Sequence, residues 1–529
     1  MSARQAETFA ARLDAWAARE PAGIALIDGD TPVTVSALRE HAARLAGALA
    51  DAGMRAGDRV AIWLPNGEEW VAGFLACARI GALALAVNTR FRARELADVL
   101  GRGRADWLLY WPGFKDIDFD AILSDVPATL TRRLRGVCLA GAAGAPSRGP
   151  AGVPAYSLRA MMAEGTPLAE AAADGPAICF TTSGTTSLPK FVVHGQATLL
   201  RHGDQVARAY GHDDGARILA AAPFCGVFGF AALAGGLAPG IPVVCQAVFN
   251  ARHAADAISR HRVTHAYLNN EALQRMLDAA PGNDYSSVRL FGFASFAPGL
   301  ESLPARAAAH GIATTGLYGS SELIALVAAQ PLQDAVHRYL PGGRLIYPDA
   351  RVRVRDPASG RLGAPGESGE IEILSPSLML GYLDDPVPTS RALTPDGYFR
   401  TGDLGYVVDQ TQFVFQGRMG DSLRLAGFLV NSAEIEACIA ALPGIRACQV
   451  VGTEHQGTTV PYAFVLLEDG AIPDPAAWRT ACRRAMAAFK VPAGFHVLPA
   501  FPVVESANSV KVQKNRLREL AAQLMGTGP

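Results

Sequence analysis

Apolar residues recur at helical spacing at Phe9, Leu13 and Trp16, and again at Val35, Leu38, Ala42, Leu45 and Leu49, a run that Gly53 ends. A period near 3.6 with polar residues between predicts two amphipathic helices. Between them, residues 24–27 and 32–35 flank Asp28, Gly29 and Asp30, which predicts a hairpin. An apolar run at 60–64 stops at Pro65 and Asn66, residues 70–80 read as helix, and 82–87 are apolar again. Strands without alternation are buried on both faces, so this rhythm predicts βαβ units around a parallel sheet. Residues 177–180 and 191–193 are strands on either side of a polar loop; 263–268, 290–293 and 314–318 continue the rhythm with helical stretches between them. After Leu340 the pattern changes. Residues 351–355 and 369–374 alternate, 413–415 follow, and a β-rich unit replaces the βαβ one. Beyond Gly417 a small α+β region begins, of about a hundred residues by the usual domain prior. Residues 140–154, rich in Ala, Gly and Pro, predict a surface loop.

A chain of 529 residues is too long for one ordinary core. Lys plus Arg number 48 and Asp plus Glu 49, a net charge of -1, which argues against a nucleic-acid or membrane-surface protein. Eight scattered cysteines without a CxxC pair argue against zinc and against a disulfide framework, and place the chain in a reducing compartment. The first twenty residues carry Arg4, Glu7, Arg12 and Asp14, so no apolar signal core is expected and the protein is read as cytoplasmic. The uncharged stretch 218–251 is long enough to span a bilayer, but Pro223, Pro239, Pro242 and several glycines interrupt it. It reads as strand, loop, short buried helix and strand, with no membrane span.

The most concentrated chemistry lies at residues 182–190: Thr182, Ser183, Gly184, Thr185, Thr186, Ser187, Leu188, Pro189 and Lys190. Gly184 lets the backbone approach an anion, the hydroxyls donate, and Lys190 adds a positive charge, at a loop expected on a sheet edge. The spacing of Gly184 and Lys190 is that of a Walker A loop, yet Pro189 stands where its second glycine belongs and Phe191 where the metal-binding hydroxyl belongs. A strand, not a helix, is therefore expected after Lys190. The bland alternative is a polar turn.

Other clusters carry paired readings. Tyr318, Gly319, Ser320, Ser321 and Glu322 could receive a nucleotide and a hard cation, or could start a helix with a serine cap. Thr401, Gly402 and Asp403 offer a carboxylate for two ribose hydroxyls, or an ordinary turn. Gly417 and Arg418 open a segment running to Glu436 that reads as a hairpin and capped helix, with Gly420 as a pivot. Lys511, Lys514, Arg516 and Arg518 cluster in the tail, where a solvated basic helix end is the usual explanation. Residues 223–230 are apolar with aromatics and glycines, plain core or the wall of a substrate pocket.

Taken in order, these clusters resemble the signature motifs of the acyl-adenylate-forming superfamily, which contains acyl-CoA synthetases, luciferases and peptide-synthetase adenylation domains. The resemblance runs from Trp70 to Arg518. It implies an α/β fold with a large N-terminal domain, 1–419, of two βαβ-type subdomains plus a β-barrel-like subdomain, and a small mobile α+β C-terminal domain, 420–529. It implies ATP-dependent activation of a carboxylic acid to an acyl-adenylate with release of pyrophosphate, then transfer to coenzyme A. In that scheme residues 182–190 hold the β and γ phosphates, with Thr182, Ser183, Gly184, Thr185, Thr186 and Lys190 named for binding. Tyr318 packs on adenine, Gly319 is a nucleotide-binding residue beside it, Ser321 contacts the α-phosphate, and Glu322 helps hold Mg2+. Asp403 binds ribose beside Arg418. Lys511 is the adenylation lysine, Gly420 the hinge, and Gly427 belongs to a hairpin brought to the thiol channel in the second step.

The chain departs from the family pattern at several points. Ser187 stands where glycine is usual, Gly420 where Asp or Lys is, Ser432 where proline is common, and residues 508–510 replace a Ser-Gly pair before Lys511. Gly226 occupies a position where many relatives place histidine, and Phe293 replaces a pocket glycine in one of two alignments; with Phe224 these are the candidate pocket residues. The implied reaction is that of an AMP-forming acid:CoA ligase taking ATP, Mg2+, CoA and a monocarboxylic acid with an apolar body, aromatic or short to medium aliphatic. A homodimer is left open. The alternatives are an acyl-AMP ligase loading a carrier-protein phosphopantetheine, and a non-catalytic nucleotide-binding protein.

Overall fold

The computed structural model describes residues 8–115, 117–141, 149–181, 189–294, 302–419, 422–425, 428–455, 458–486, 488–505 and 510–526. The chain divides into two compact units, one formed by Met1–Thr182, Pro189–Ala350 and Leu374–Gly397, the other containing Arg351–Ile373 and Tyr398–Pro529.

The first unit opens with helix Phe9–Arg19, capped where Thr8 Oγ1 accepts from Ala11 N–H at 3.2 Å, and it buries Phe9, Leu13 and Trp16 as their spacing predicts. The expected hairpin pairs Ile24–Asp28 with Thr31–Thr34, turning at Gly29 with φ 61°, a left-handed conformation that glycine adopts without strain. Helix Val35–Asp51 follows, again capped by a threonine, Thr34.

Two sheets are built around parallel cores. One runs in the order Gly381–Tyr382, Phe191–Gly195, Pro176–Thr181, Leu83–Ala86, Arg59–Trp63, Trp107–Tyr110, Gly136–Leu139 and Ala155–Ser157. Only its first two pairings are antiparallel, so the strand after Lys190 folds back on the strand before the polar loop, as expected. The sheet edge lies one strand further out than the sequence reading placed it, because Gly381–Tyr382 covers Phe191–Gly195. The other core runs in parallel through Ile24–Asp28, Val243–Cys245, Ile218–Ala220, His265–Asn269, Leu290–Ala294 and Thr314–Tyr318.

The uncharged stretch after Ile218 is strand Ile218–Ala220, helix Val227–Leu237 and strand Val243–Cys245, and among the described residues no helix is long and apolar enough to cross a membrane. Trp70 packs on Phe74 and edge-on to Phe224, and Phe230 touches Trp70, Phe74 and Phe180, joining helices to sheet. Large aromatic rings buried in this way contribute most of the apolar area of such a core. All eight cysteines are free thiols, seven of them buried.

The second unit contains an antiparallel run ordered Arg351–Arg355, Gly369–Leu374, Phe399–Val407 and Gln412–Arg418. Its alternation buries Val352, Val354, Ile371 and Ile373 on one face. Glu372 breaks the pattern: it is fully buried, and Arg353 and Arg355 donate to it at 2.6 and 2.7 Å. Burial pushes its pKa up, but the two guanidinium groups outweigh that and hold it below the usual glutamate value.

The remaining α+β portion opens with the expected hairpin, Ser422–Leu425 against Phe428–Asn431, and helix Ser432–Ala440. A long antiparallel pair, Ile445–His455 and Thr458–Leu467, carries Gly494–Val497 in parallel alongside. Helix Lys514–Leu524 buries Leu517 and Ala521 among Val451, Tyr462 and Phe464. A leucine so buried contributes about 2 kcal/mol. Within the basic tail Lys514 is held and not simply solvated, donating to Ser432 and Glu436, each at 2.8 Å, whereas Arg516 is exposed.

Candidate functional site

The polar residues of the first unit gather on the loop after strand Thr314–Tyr318. Tyr318 ends the strand buried and pairs with Ala328. A Cβ on Gly319 would lie 2.5 Å from Ala325 Cα, so only glycine lets the loop fold back on itself. No helix begins there. Residues 321–323 form a turn, so the reading of Ser320 or Ser321 as a helix cap fails, and Ser320 Oγ is instead buried with no hydrogen-bond partner among the described residues.

The turn carries backbone strain. Ile324 and Leu326 have φ of 58° and 68°, a region costly for any residue with a Cβ and most of all for a β-branched one, by about 1–3 kcal/mol each. Its carbonyls are held from behind. His194 Nε2 donates to Ser321 O at 2.8 Å, Met379 N–H to Glu322 O at 2.8 Å, His202 Nε2 to Ala325 O at 2.7 Å and the Tyr210 hydroxyl to Leu326 O at 3.0 Å. The Tyr347 hydroxyl donates to His202 Nδ1 at 3.2 Å. Burial lowers the pKa of both His194 and His202 to about 4, so both rings are neutral near pH 7 with the proton on Nε2.

Glu322 and Lys190 meet through a third residue. The Tyr382 hydroxyl donates to Glu322 Oε1 at 2.9 Å, Lys190 Nζ donates to the same hydroxyl at 3.4 Å, and Nζ lies 4.7 Å from the centre of the Tyr382 ring. Burial, and then the Glu322 charge, raise the Tyr382 pKa well above its usual value, so the hydroxyl keeps its proton.

In the second unit Asp403 is buried, and Arg418 Nη1 stands 2.8 Å from its Oδ1; the two residues are opposite one another in the strand register. Gly402 turns the chain with φ 68°, and Thr401 Oγ1 accepts from Asp403 N–H at 3.0 Å while donating to Ile371 O at 2.7 Å. The aspartate is thus fixed from its backbone and faces a guanidinium that is 55% exposed.

Other expected residues fall elsewhere. Thr182, Ser183, Gly184, Thr185, Thr186, Gly420 and Gly427 lie outside the described residues, as does the side chain of Lys511, whose backbone pairs with Val504 in the strand pair Val503–Glu505 and Val510–Val512. Phe224 is fully buried edge-on to Trp70, with its N–H donating to Asn66 Oδ1 at 2.7 Å. Gly226 precedes helix Val227–Leu237 as its cap, and Phe293 is 5% exposed on the strand paired with His265–Asn269.

The donor set fits a magnesium ion held with a triphosphate. Among the described residues no three His, Cys, Asp or Glu side chains gather as a metal cage, while Glu322 offers one carboxylate. Mg2+ is commonly held by one or two carboxylates plus phosphate oxygens and water. The sequence reading missed Tyr382, His194 and His202. A histidine within an apolar strand and another on a helix gave no signal of the carbonyls they hold.

The pattern that defines the AMP-binding enzymes matches residues 13–383, and that of the AMP-binding enzyme C-terminal domain matches 434–508. A 2-hydroxy-7-methoxy-5-methyl-1-naphthoate--CoA ligase of Streptomyces carzinostaticus is 30% identical over 535 residues, covering 97% of this chain and 92% of that one. A sulfoacetate--CoA ligase of Cupriavidus necator is 29% identical over 524 residues, with 97% of each chain covered. The fold is similar to that of ATP-bound MatB from Rhodopseudomonas palustris, with a TM-score of 0.83, 24% identity, and 98% of this chain and 99% of that one covered. With its motifs in order and both defining patterns present, this chain belongs to the AMP-binding enzymes, the acyl-adenylate-forming superfamily.

Proposed function

We propose that this chain is an AMP-forming acid:CoA ligase, which joins a monocarboxylic acid to ATP as an acyl-adenylate, releases pyrophosphate, and passes the acyl group to coenzyme A. The observation that carries this is the Lys190, Tyr382 and Glu322 constellation, with Glu322 on a loop held in one shape by four carbonyl hydrogen bonds. A carboxylate attacking the α-phosphate is an anion approaching an anion. Positive charge and oriented donors fixed in advance lower that barrier without reorganisation during the step. When bound, magnesium would add Lewis-acid neutralisation of phosphate charge, and Glu322 is the residue to hold it.

The remaining roles are those that the family resemblance implies. Lys190 is the cation for the departing pyrophosphate, together with the hydroxyls of Thr182, Ser183, Thr185 and Thr186; Gly184 gives the backbone close approach. Tyr318 packs on adenine with Gly319 beside it, Ser321 receives the α-phosphate, and Asp403 the ribose hydroxyls with Arg418 beside it. We place the domain boundary at Gly420, with 420–529 rotating after adenylation so that Lys511 withdraws and the segment around Gly427 serves the thiol. Phe224, Gly226 and Phe293 are assigned to the acyl site, where the missing histidine side chain at Gly226 favours an apolar acid body. Eight free cysteines support a reducing, cytoplasmic setting.

A panel of aromatic and aliphatic carboxylic acids, read by pyrophosphate release, tests the reading. Release with at least one acid, followed by saturable thioester formation with CoA, is expected. No release with any acid would leave a nucleotide-binding protein without turnover, and saturable transfer only to a phosphopantetheinylated carrier protein would replace CoA as the acceptor.

A further inference from the structure

The two-residue strand Gly381–Tyr382 lies against Phe191–Gly195, placing Tyr382 opposite Val192 and two residues from Lys190 in the neighbouring strand. Gly381 has φ 150°, and a Cβ there would press on Thr389 Cγ2 at 3.1 Å. Thr389 Oγ1 in turn accepts from Tyr382 N–H at 2.9 Å. The backbone of Tyr382 is therefore fixed on both sides by the sheet and by the short helix Pro386–Arg391. Its side chain inherits that fixation and carries it to two charged groups 192 and 60 residues away in sequence.

We propose that Tyr382 is a positioning residue for the metal ligand and the phosphate-loop cation at once: its hydroxyl, donating to Glu322 Oε1 and accepting from Lys190, sets both charges apart and aims them at one triphosphate. The physical reason is competition. A lysine and a carboxylate brought together in a partly dry site close into a direct ion pair, which turns both away from a ligand. A neutral hydroxyl between them satisfies one lone pair of the carboxylate and one proton of the ammonium. The ring beneath Nζ, at 4.7 Å, adds a cation–π contact that holds the lysine without neutralising it. With Oε1 committed to Tyr382, Oε2 would be the oxygen left for a cation.

This inference rests on the reading of the chain as an ATP-using enzyme, and its test separates the two. Mn2+ serves as the probe, followed by its electron paramagnetic resonance signal on the full chain with a non-hydrolysable ATP analogue present. The isosteric Tyr382→Phe, which removes only the hydroxyl, is expected to weaken Mn2+ binding about 10-fold, the scale of one lost hydrogen bond to a charged group. In a Glu322→Gln background the same change should have little further effect, since the bond's charged partner is gone. In turnover, the apparent KM for metal should rise in Tyr382→Phe while the KM for the carboxylic acid stays put, a split that general loosening of the fold would not give. Tyr382→Leu, which also removes the ring, should further weaken the analogue measured without metal, through Lys190. Mn2+ binding in Tyr382→Phe within about twofold of the unmodified chain, or an undiminished loss in the Glu322→Gln background, overturns the role of Tyr382. Failure of the unmodified chain to bind the analogue at all overturns the ATP reading itself.

Discussion

His202 gives the most quantitative prediction, because a single buried ring joins a strained turn to a tyrosine. Its Nε2 donates to Ala325 O and its Nδ1 accepts from Tyr347, so only the neutral ring satisfies both partners. Burial lowers its pKa from 6.5 to about 4, with the Ala325 bond opposing the shift and neighbouring His194 adding to it. The unfolded chain has no such restraint and takes up a proton below pH 6.5. Stability is therefore complete above that value and is lost as the pH falls from 6.5 towards 4, since over that range the unfolded state binds the proton that the folded state refuses. At pH 5 the unfolded ring is one and a half pH units below its pKa, so the loss is about 2 kcal/mol relative to neutral pH. His202→Gln retains a donor for Ala325 but no titrating group. Urea unfolding at pH 7 and pH 5 should show the variant slightly less stable at pH 7 and its loss on acidification smaller than that of the unmodified chain by about 2 kcal/mol. Parallel pH dependence in the two proteins would refute the assignment of a neutral, buried ring.

Three further outcomes are expected. Lys511→Ala should lower adenylation about 10²-fold or more, the scale for one preorganised electrostatic group, while thioester formation from supplied acyl-adenylate survives; equal loss in both half-reactions would contradict a role confined to the first. Asp403→Asn removes the charge that faces Arg418 and should raise the KM for ATP about 10-fold with little effect on the KM for the acid, as read by pyrophosphate release. Glu372→Gln leaves Arg353 and Arg355 beside a neutral amide in a fully buried position, and should destabilise the second unit by about 3–5 kcal/mol in thermal or denaturant unfolding.

Much of the scaffold was legible because strong periodicity leaves few alternatives. The strand Thr314–Tyr318 carries the bounds the sequence predicted, and the expected hairpin turns at Gly29. The cation and the carboxylate of the site were legible as motif positions, Lys190 and Glu322. Tyr382 was not, because a two-residue strand has no period to read and its partners are distant in the chain. Phe224 shows a second limit: its place near a glycine gave no sign of Trp70, on which its ring packs edge-on. The serine cap failed for a third reason. Close approach at Gly319 and left-handed residues at Ile324 and Leu326 turn the chain away from a helix, and those conformations are imposed by carbonyl partners that local sequence does not contain.

The turn beneath Glu322 also bears on how such a protein could be altered. Its shape is written by His194, His202 and Tyr210, which lie behind it on strand Phe191–Gly195 and helix Gln196–Tyr210, whereas residues 223–226 enter the following helix from a different connection. On the roles proposed above, engineering for a new acid would treat the chain as having separable inheritance: a nucleotide-reading part to be kept whole, including residues that no ligand would touch, and an acyl-reading part open to exchange.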